Sequence, residues 1–343
     1  MMKQEVMTSP GEIEFRDIPI PELGTDEVLV KMMRIGVCGS DIHVYHGKHP
    51  YTDYPVTQGH EVSGIIEKIG TNVKNLEAGD KVTIQPQVVC DQCYPCTHGK
   101  YHICDDLKVM GFQTTGAASE FFKVHSEKII KLPDNMTYEQ GAMIEPCAVA
   151  VHAVSKGGDI TGFNILVLGA GPIGNLVGQT AKALGAKSVM ITDLSDFRLN
   201  IAKEVEIDYT INPTKQNISE EIEKAFGSDK ADLIIECVGA NETIDAAIEN
   251  ARKGSDIVLV GVFGDKPSVD LGFVQDRELR LIGTLMYKTA DYNKAIELVA
   301  AKEIKLEPLM TKHFSFMDYG KAYKFIDDKK DKVMKVFIDV NNE

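Results

Sequence analysis

The sequence has no block of Lys or Arg that could track a phosphate backbone; its 37 basic and 51 acidic side chains give a net charge of −14, spread along the chain. A nucleic-acid partner is therefore not expected. No apolar run approaches the roughly 18 residues needed to span a bilayer, and Met1-Met2-Lys3-Gln4-Glu5 shows no apolar signal-like core. These absences lead to the expectation of a cytoplasmic protein with no membrane partner. Internal repeats, low-complexity tracts and a flexible linker are also missing. What remains is ordinary globular material: 343 residues, 43% hydrophobic, enough for about two domains. Four of the seven cysteines crowd between Cys90 and Cys104, a distribution that suits metal ligation in a reducing compartment better than a disulfide framework.

The stretch Gly59-His60-Glu61-Val62-Ser63-Gly64 sets an imidazole and a carboxylate side by side between glycines that allow close approach. Cys38 upstream, in Cys38-Gly39-Ser40-Asp41-Ile42-His43, and Glu145 downstream complete a mixed soft and hard ligand set of the kind an open, catalytic zinc site uses. The segment Ile35 to Asp41 leaves a strand through a glycine turn into a short helix, which carries His43 and brings Ser40 near the metal. Residues 4 to 36 read as β-hairpin material, with strands following at Glu61 to Ile69 and Lys81 to Pro86. Proline favours the first helical position, so Glu145 before Pro146 reads as an N-cap, with its carboxylate free for a metal or for the first amides.

A second constellation is Cys90, Cys93, Cys96 and Cys104. Two-residue gaps let successive thiolates turn back onto one ion, so the group reads as a closed structural zinc site or, on cysteine spacing, an iron–sulfur cluster.

At Phe163 the periodicity changes. Asn164 to Leu168 is a continuous apolar run, as expected of a parallel strand buried on both faces, and it enters Gly169-Ala170-Gly171-Pro172-Ile173-Gly174 and a helix through Leu184. The turn at Gly169, Gly171 and Gly174, with Pro172 and Ile173 opening the helix, makes a dinucleotide cradle at a helix N-terminus. A second strand, Ser188 to Thr192, ends at Asp193, placed to accept from ribose hydroxyls and so to favour NAD over NADP. Arg198, five residues on, is a neighbour that could soften this preference. Alternating helices and strands up to Leu279–Ile282 predict a doubly wound sheet. Two later helices and a strand, Val333 to Ile338, suit a return to the first lobe. The expected division is a catalytic domain of residues 1–153 and 289–343 around an inserted nucleotide domain of 154–288.

Taken together, Cys-Gly-Ser-Asp-x-His, Gly-His-Glu with Gly64, Gly70 and Val73, the four cysteines, Glu-Pro and G-x-G-x-x-G occur in one order over essentially the whole chain. In this the sequence resembles the zinc-dependent medium-chain alcohol dehydrogenases, close to their polyol, sugar-acid and threonine branch. The resemblance implies an α/β protein, with a GroES-like β-rich catalytic domain and a Rossmann NAD-binding domain. It implies two zincs per chain: a catalytic one on Cys38, His60 and an acid, either Glu61 or Glu145, and a structural one on the four cysteines. Asp41 is implied as partner of His60, while Ser40 and His43 match the hydroxyl and imidazole that pass the substrate proton to solvent. Zinc would lower the pKa of a substrate hydroxyl so that hydride can leave toward the nicotinamide.

The expected substrate is a polyol or sugar acid oxidised at a secondary hydroxyl, with Tyr45, His46, Tyr51 and Tyr54 as loop contacts. Met286, before Tyr287, stands where sorbitol-type members have an arginine, which leaves L-threonine and butanediol as alternatives. A different class of reading is a non-catalytic Rossmann protein that senses NAD. The resemblance also suggests a homodimer or homotetramer that joins edge strands near Leu279 to Gly283.

Overall fold

The computed structural model describes residues 1–341, and the chain divides into two compact units. One is Met1–Glu145 together with the return segment from Met310, and the other is Pro146–Leu309; sequence reasoning drew the inserted domain at 154–288. Among the described residues no helix is long and apolar enough to cross a membrane.

The first unit is built on a seven-stranded sheet whose centre is the long strand Glu27–Val37. Its alternation of Val, Leu, Met and Ile buries nearly every position, and it pairs antiparallel with Glu61–Ile69, Phe121–His125 and Lys335–Asp339. The register decides where chemistry collects. Gly36 lies opposite Glu61, and Val37 opposite Val336, so the residues just outside these pairs, Cys38, His60 and Lys335, emerge at one end of the sheet. Glycine at 36 is a steric requirement: a Cβ there would lie 2.5 Å from Glu61 Oε2 and 3.5 Å from Lys335 Cδ.

The second unit is a six-stranded, wholly parallel sheet in the order Tyr209–Ile211, Ser188–Thr192, Asn164–Leu168, Ala231–Glu236, Ala251–Leu259, Arg280–Gly283. Numbered along the chain this is 3-2-1-4-5-6, the doubly wound arrangement whose reversal beside the first strand creates a crevice at its carboxyl end. The first strand is buried at all five positions, as its unbroken apolar run requires.

One expectation fails locally. Glu145 is not an N-cap, because the helix spans Ile144–Ser155 and follows closely on Tyr138–Ala142. Glu145 therefore sits in the first turn, where Pro146 beside it is tolerated since the first amides have no intrahelical acceptor.

Glu5, in the strand Met2–Ser9, is fully buried, and its Oε2 receives a long 3.4 Å contact from the Gln58 amide. Burial pushes its carboxyl up to about 8, against a weaker downward pull from that amide and with added repulsion from Asp41. Folded, Glu5 keeps its proton; unfolded, it releases it near its ordinary 4.5. Its contribution to stability is thus fully present below about pH 4.5 and is lost as pH rises through about 8. Urea midpoints should fall between pH 5 and pH 8, and Glu5→Gln should flatten that slope. Equal slopes in the two proteins would contradict the assignment.

Candidate metal and nucleotide sites

Cys38 ends the central strand's run and is the N-cap of the helix Gly39–Tyr45. Asp41, in that helix's first turn, accepts the Cys38 amide on Oδ2 at 2.9 Å and turns Oδ1 to His60 Nδ1 at 3.4 Å. Capping and partnering His60 are therefore two jobs of one carboxylate. Ligand atoms of Cys38, His60 and Glu61 all lie within 4.8 Å of one another, with His60 and Glu61 buried. Glu145, also buried, falls outside that trio. The Ser40 hydroxyl donates to Cys38 Sγ at 3.1 Å, while His43 is exposed on the same helix.

Burial works against protonation of His60, but the Asp41 carboxylate and Cys38 outweigh it and hold the imidazole well above its ordinary pKa. No motif in the sequence points to Lys335. Its Nζ lies 2.7 Å and 2.5 Å from the two Glu61 oxygens, and both side chains are buried. Burial opposes the lysine's charge, yet Glu61 first, then Cys38 and Glu145, keep its pKa above the usual lysine value. A lysine inside the apolar run Val333 to Ile338 was the only local hint.

The trio fits zinc by donor type: one thiolate, one imidazole and one carboxylate leave a fourth, open position. The cysteine lobe fits as well. Cys93 and Cys104 sulfurs are 3.7 Å apart, Cys104 and Cys90 3.5 Å, close to the roughly 3.8 Å edge of a tetrahedron with Zn–S near 2.3 Å. All four are free thiols. The Asp105 amide draws the Cys93 thiol down to about 7, whereas burial and then neighbouring thiols push Cys96 up to about 12.

In the second unit, Gly171 is the N-cap of the helix Pro172–Ala183, and Ile173 lies in its first turn. A Cβ on Gly171 would meet only Arg198 Nη1, at 4.0 Å, so the space over the helix end is open for a pyrophosphate. A Cβ on Gly174 would lie 1.8 Å from the Gly169 carbonyl oxygen, the close packing this turn needs. Asp193 accepts from the Ala170 and Ser195 amides, each at 2.8 Å, and pairs loosely with Arg198 at 3.7 Å. The carboxylate is thus fixed beside the glycine turn. Arg198 Nε is buried without a hydrogen-bond partner among the described residues.

The chain is also similar to known proteins. Residues 24–134 match the alcohol dehydrogenase GroES-like domain and residues 172–301 the zinc-binding dehydrogenase domain. Human sorbitol dehydrogenase is 37% identical, covering 90% of this chain and 88% of its own. The D-xylulose reductase of Saccharomyces cerevisiae is 34% identical, covering 93% and 92%. Among solved structures, galactitol-1-phosphate dehydrogenase from Escherichia coli superposes with a TM-score of 0.91 at 31% identity, covering 99% of this chain and 100% of the other.

Proposed function

Because the chain belongs to the zinc-dependent medium-chain alcohol dehydrogenases, we propose that it is an NAD-dependent polyol dehydrogenase oxidising a secondary hydroxyl of a polyol or sugar acid. The observation that carries this reading is the convergence of Cys38, His60 and Glu61 within 4.8 Å at one end of a sheet, with the Ser40 hydroxyl 3.1 Å from the Cys38 sulfur. The relatives named for sorbitol, xylulose and galactitol phosphate supply the substrate class.

Zinc bound at this trio would supply Lewis-acid chemistry, lowering the pKa of a substrate hydroxyl. The chain's own residues do the rest. Asp41 faces His60 Nδ1 at 3.4 Å, which would leave Nε2 for the metal. Ser40 would take the hydroxyl proton while passing its own on to His43, which, exposed, would hand it to solvent. Lys335 balances the buried Glu61 charge. The Gly169–Gly174 turn and Asp193 would bind the dinucleotide, which when bound supplies hydride-accepting chemistry. The four cysteines would hold the second, structural zinc. The protein is taken to work as a homodimer or homotetramer.

An Asp193 carboxylate accepts from a 2′-hydroxyl but repels a 2′-phosphate. Asp193→Ala should therefore erode the preference for NAD⁺ over NADP⁺ by about tenfold or more, roughly 1.4 kcal/mol. Unchanged preference in steady-state kinetics would remove the assignment.

The substrate class is tested by NAD⁺ reduction over hexitols, pentitols, aldonates, L-threonine, 2,3-butanediol and simple alcohols. The highest kcat/KM should fall to a polyol or aldonate. A clear preference for ethanol or L-threonine would replace the polyol reading, and no turnover of any of them by zinc-loaded protein would favour an NAD-sensing role.

A further inference from the structure

Gln58 sits two residues before His60 and is fully buried, with a side-chain amide that a core position has no need of. Its ends are both engaged. The Gln58 Nε2 donates to the Asp41 carbonyl and to Asp41 Oδ1, each at 3.3 Å, while its Oε1 accepts from the Tyr323 hydroxyl at 2.5 Å. Tyr323 belongs to the helix Tyr319–Lys329, in the segment that returns to the first unit. Its ring also stacks on Tyr45, with centroids 4.6 Å apart and planes at 10°, at the end of the helix Gly39–Tyr45. One residue thus grips the Cys38-bearing helix twice, by its ring at Tyr45 and by its hydroxyl through Gln58 at Asp41. Asp41 in turn touches both prospective ligands, the Cys38 amide at 2.9 Å and His60 Nδ1 at 3.4 Å.

We propose that Gln58 and Tyr323 form a buried brace that positions Asp41, and through it Cys38 and His60, so that the C-terminal helix sets the geometry of the catalytic metal site. This rests on the zinc reading given above. Both are positioning residues, since each acts through Asp41. The Asp41–His60 separation is longer than an ideal hydrogen bond, and a shift of Asp41 of a few tenths of an ångström would change how the imidazole is aimed. Partners behind metal-bound histidines typically matter about 10- to 100-fold in metal affinity.

The test is zinc affinity by chelator competition in full-length wild type, Tyr323→Phe, Gln58→Met and the double variant. Tyr323→Phe keeps the ring on Tyr45 and removes only the hydroxyl; the cysteine lobe serves as an internal control in every sample. The brace predicts that each single variant weakens the Cys38–His60 site about 10-fold or more, with the lobe's affinity unchanged. It also predicts that the double variant is little worse than either single one, because all break one chain of contacts. Two zincs per chain with unchanged affinity in both single variants would overturn the brace and leave the functional reading intact. Equal weakening of both metal sites would also overturn it, as general destabilisation. A wild type holding zinc only at the cysteines would overturn the functional reading and the brace together.

Discussion

Cys38→Ser and His60→Ala should each lower kcat/KM for the preferred polyol by about three orders of magnitude or more while leaving the protein folded. The size follows from the metal: Lewis-acid stabilisation of several kcal/mol, at about 1.4 kcal/mol per tenfold in rate, corresponds to roughly a thousandfold. The fold should survive because both residues lie at the end of the sheet, outside the paired stretch Gly36–Glu61 and Ile35–Val62 that holds the two strands. Far-ultraviolet circular dichroism and the thermal midpoint should therefore stay near wild type as turnover disappears. Zinc content should fall from two per chain to one. A folded Cys38→Ser protein lacking that zinc but turning over at the wild-type rate would show that the chemistry lies elsewhere.

Lys335→Met should have the largest effect on stability, and the effect should depend on metal. Without zinc, Lys335 is paired with Glu61 at 2.5 Å, and both are almost fully buried. Removing one member of such a pair leaves an uncompensated charge, at a cost of about 3–5 kcal/mol. Zinc at the proposed site would supply a positive charge to the same carboxylate, so the loss should shrink when the metal is bound, and the variant should bind zinc more tightly than wild type by the reciprocity of linked equilibria. Urea unfolding with and without zinc measures both quantities. Wild-type stability of zinc-free Lys335→Met would mean that Glu61 finds its compensation elsewhere.

The local parts of this architecture were readable because local chemistry dictates them. Glu61–Ile69 and Ser188–Thr192 occur as strands with the expected boundaries, each bounded by residues that end it: His60 and Gly70 for the first, Lys187 and Asp193 for the second. The glycine turn was legible because close helix packing and an open phosphate seat each demand glycine, as Gly174 and Gly171 show. The missed residues are those whose meaning depends on distant pairing. Lys335 is 274 residues from Glu61, and Tyr323 is 265 from Gln58; no spacing rule within a motif reaches that far. For Glu145 only the N-cap position fails, and for a nearer reason. A Glu-Pro pair reads as cap and first turn in isolation, but the preceding helix ends at Ala142 and the next already begins at Ile144.

The catalytic role of the Cys38–His60–Glu61 site is tested most directly by a zinc titration of metal-stripped protein, reading bound zinc and NAD⁺-dependent polyol oxidation on the same samples. Two zincs should bind per chain, with activity tracking the site that Cys38→Ser removes. Full activity with zinc at the four cysteines alone would contradict the account.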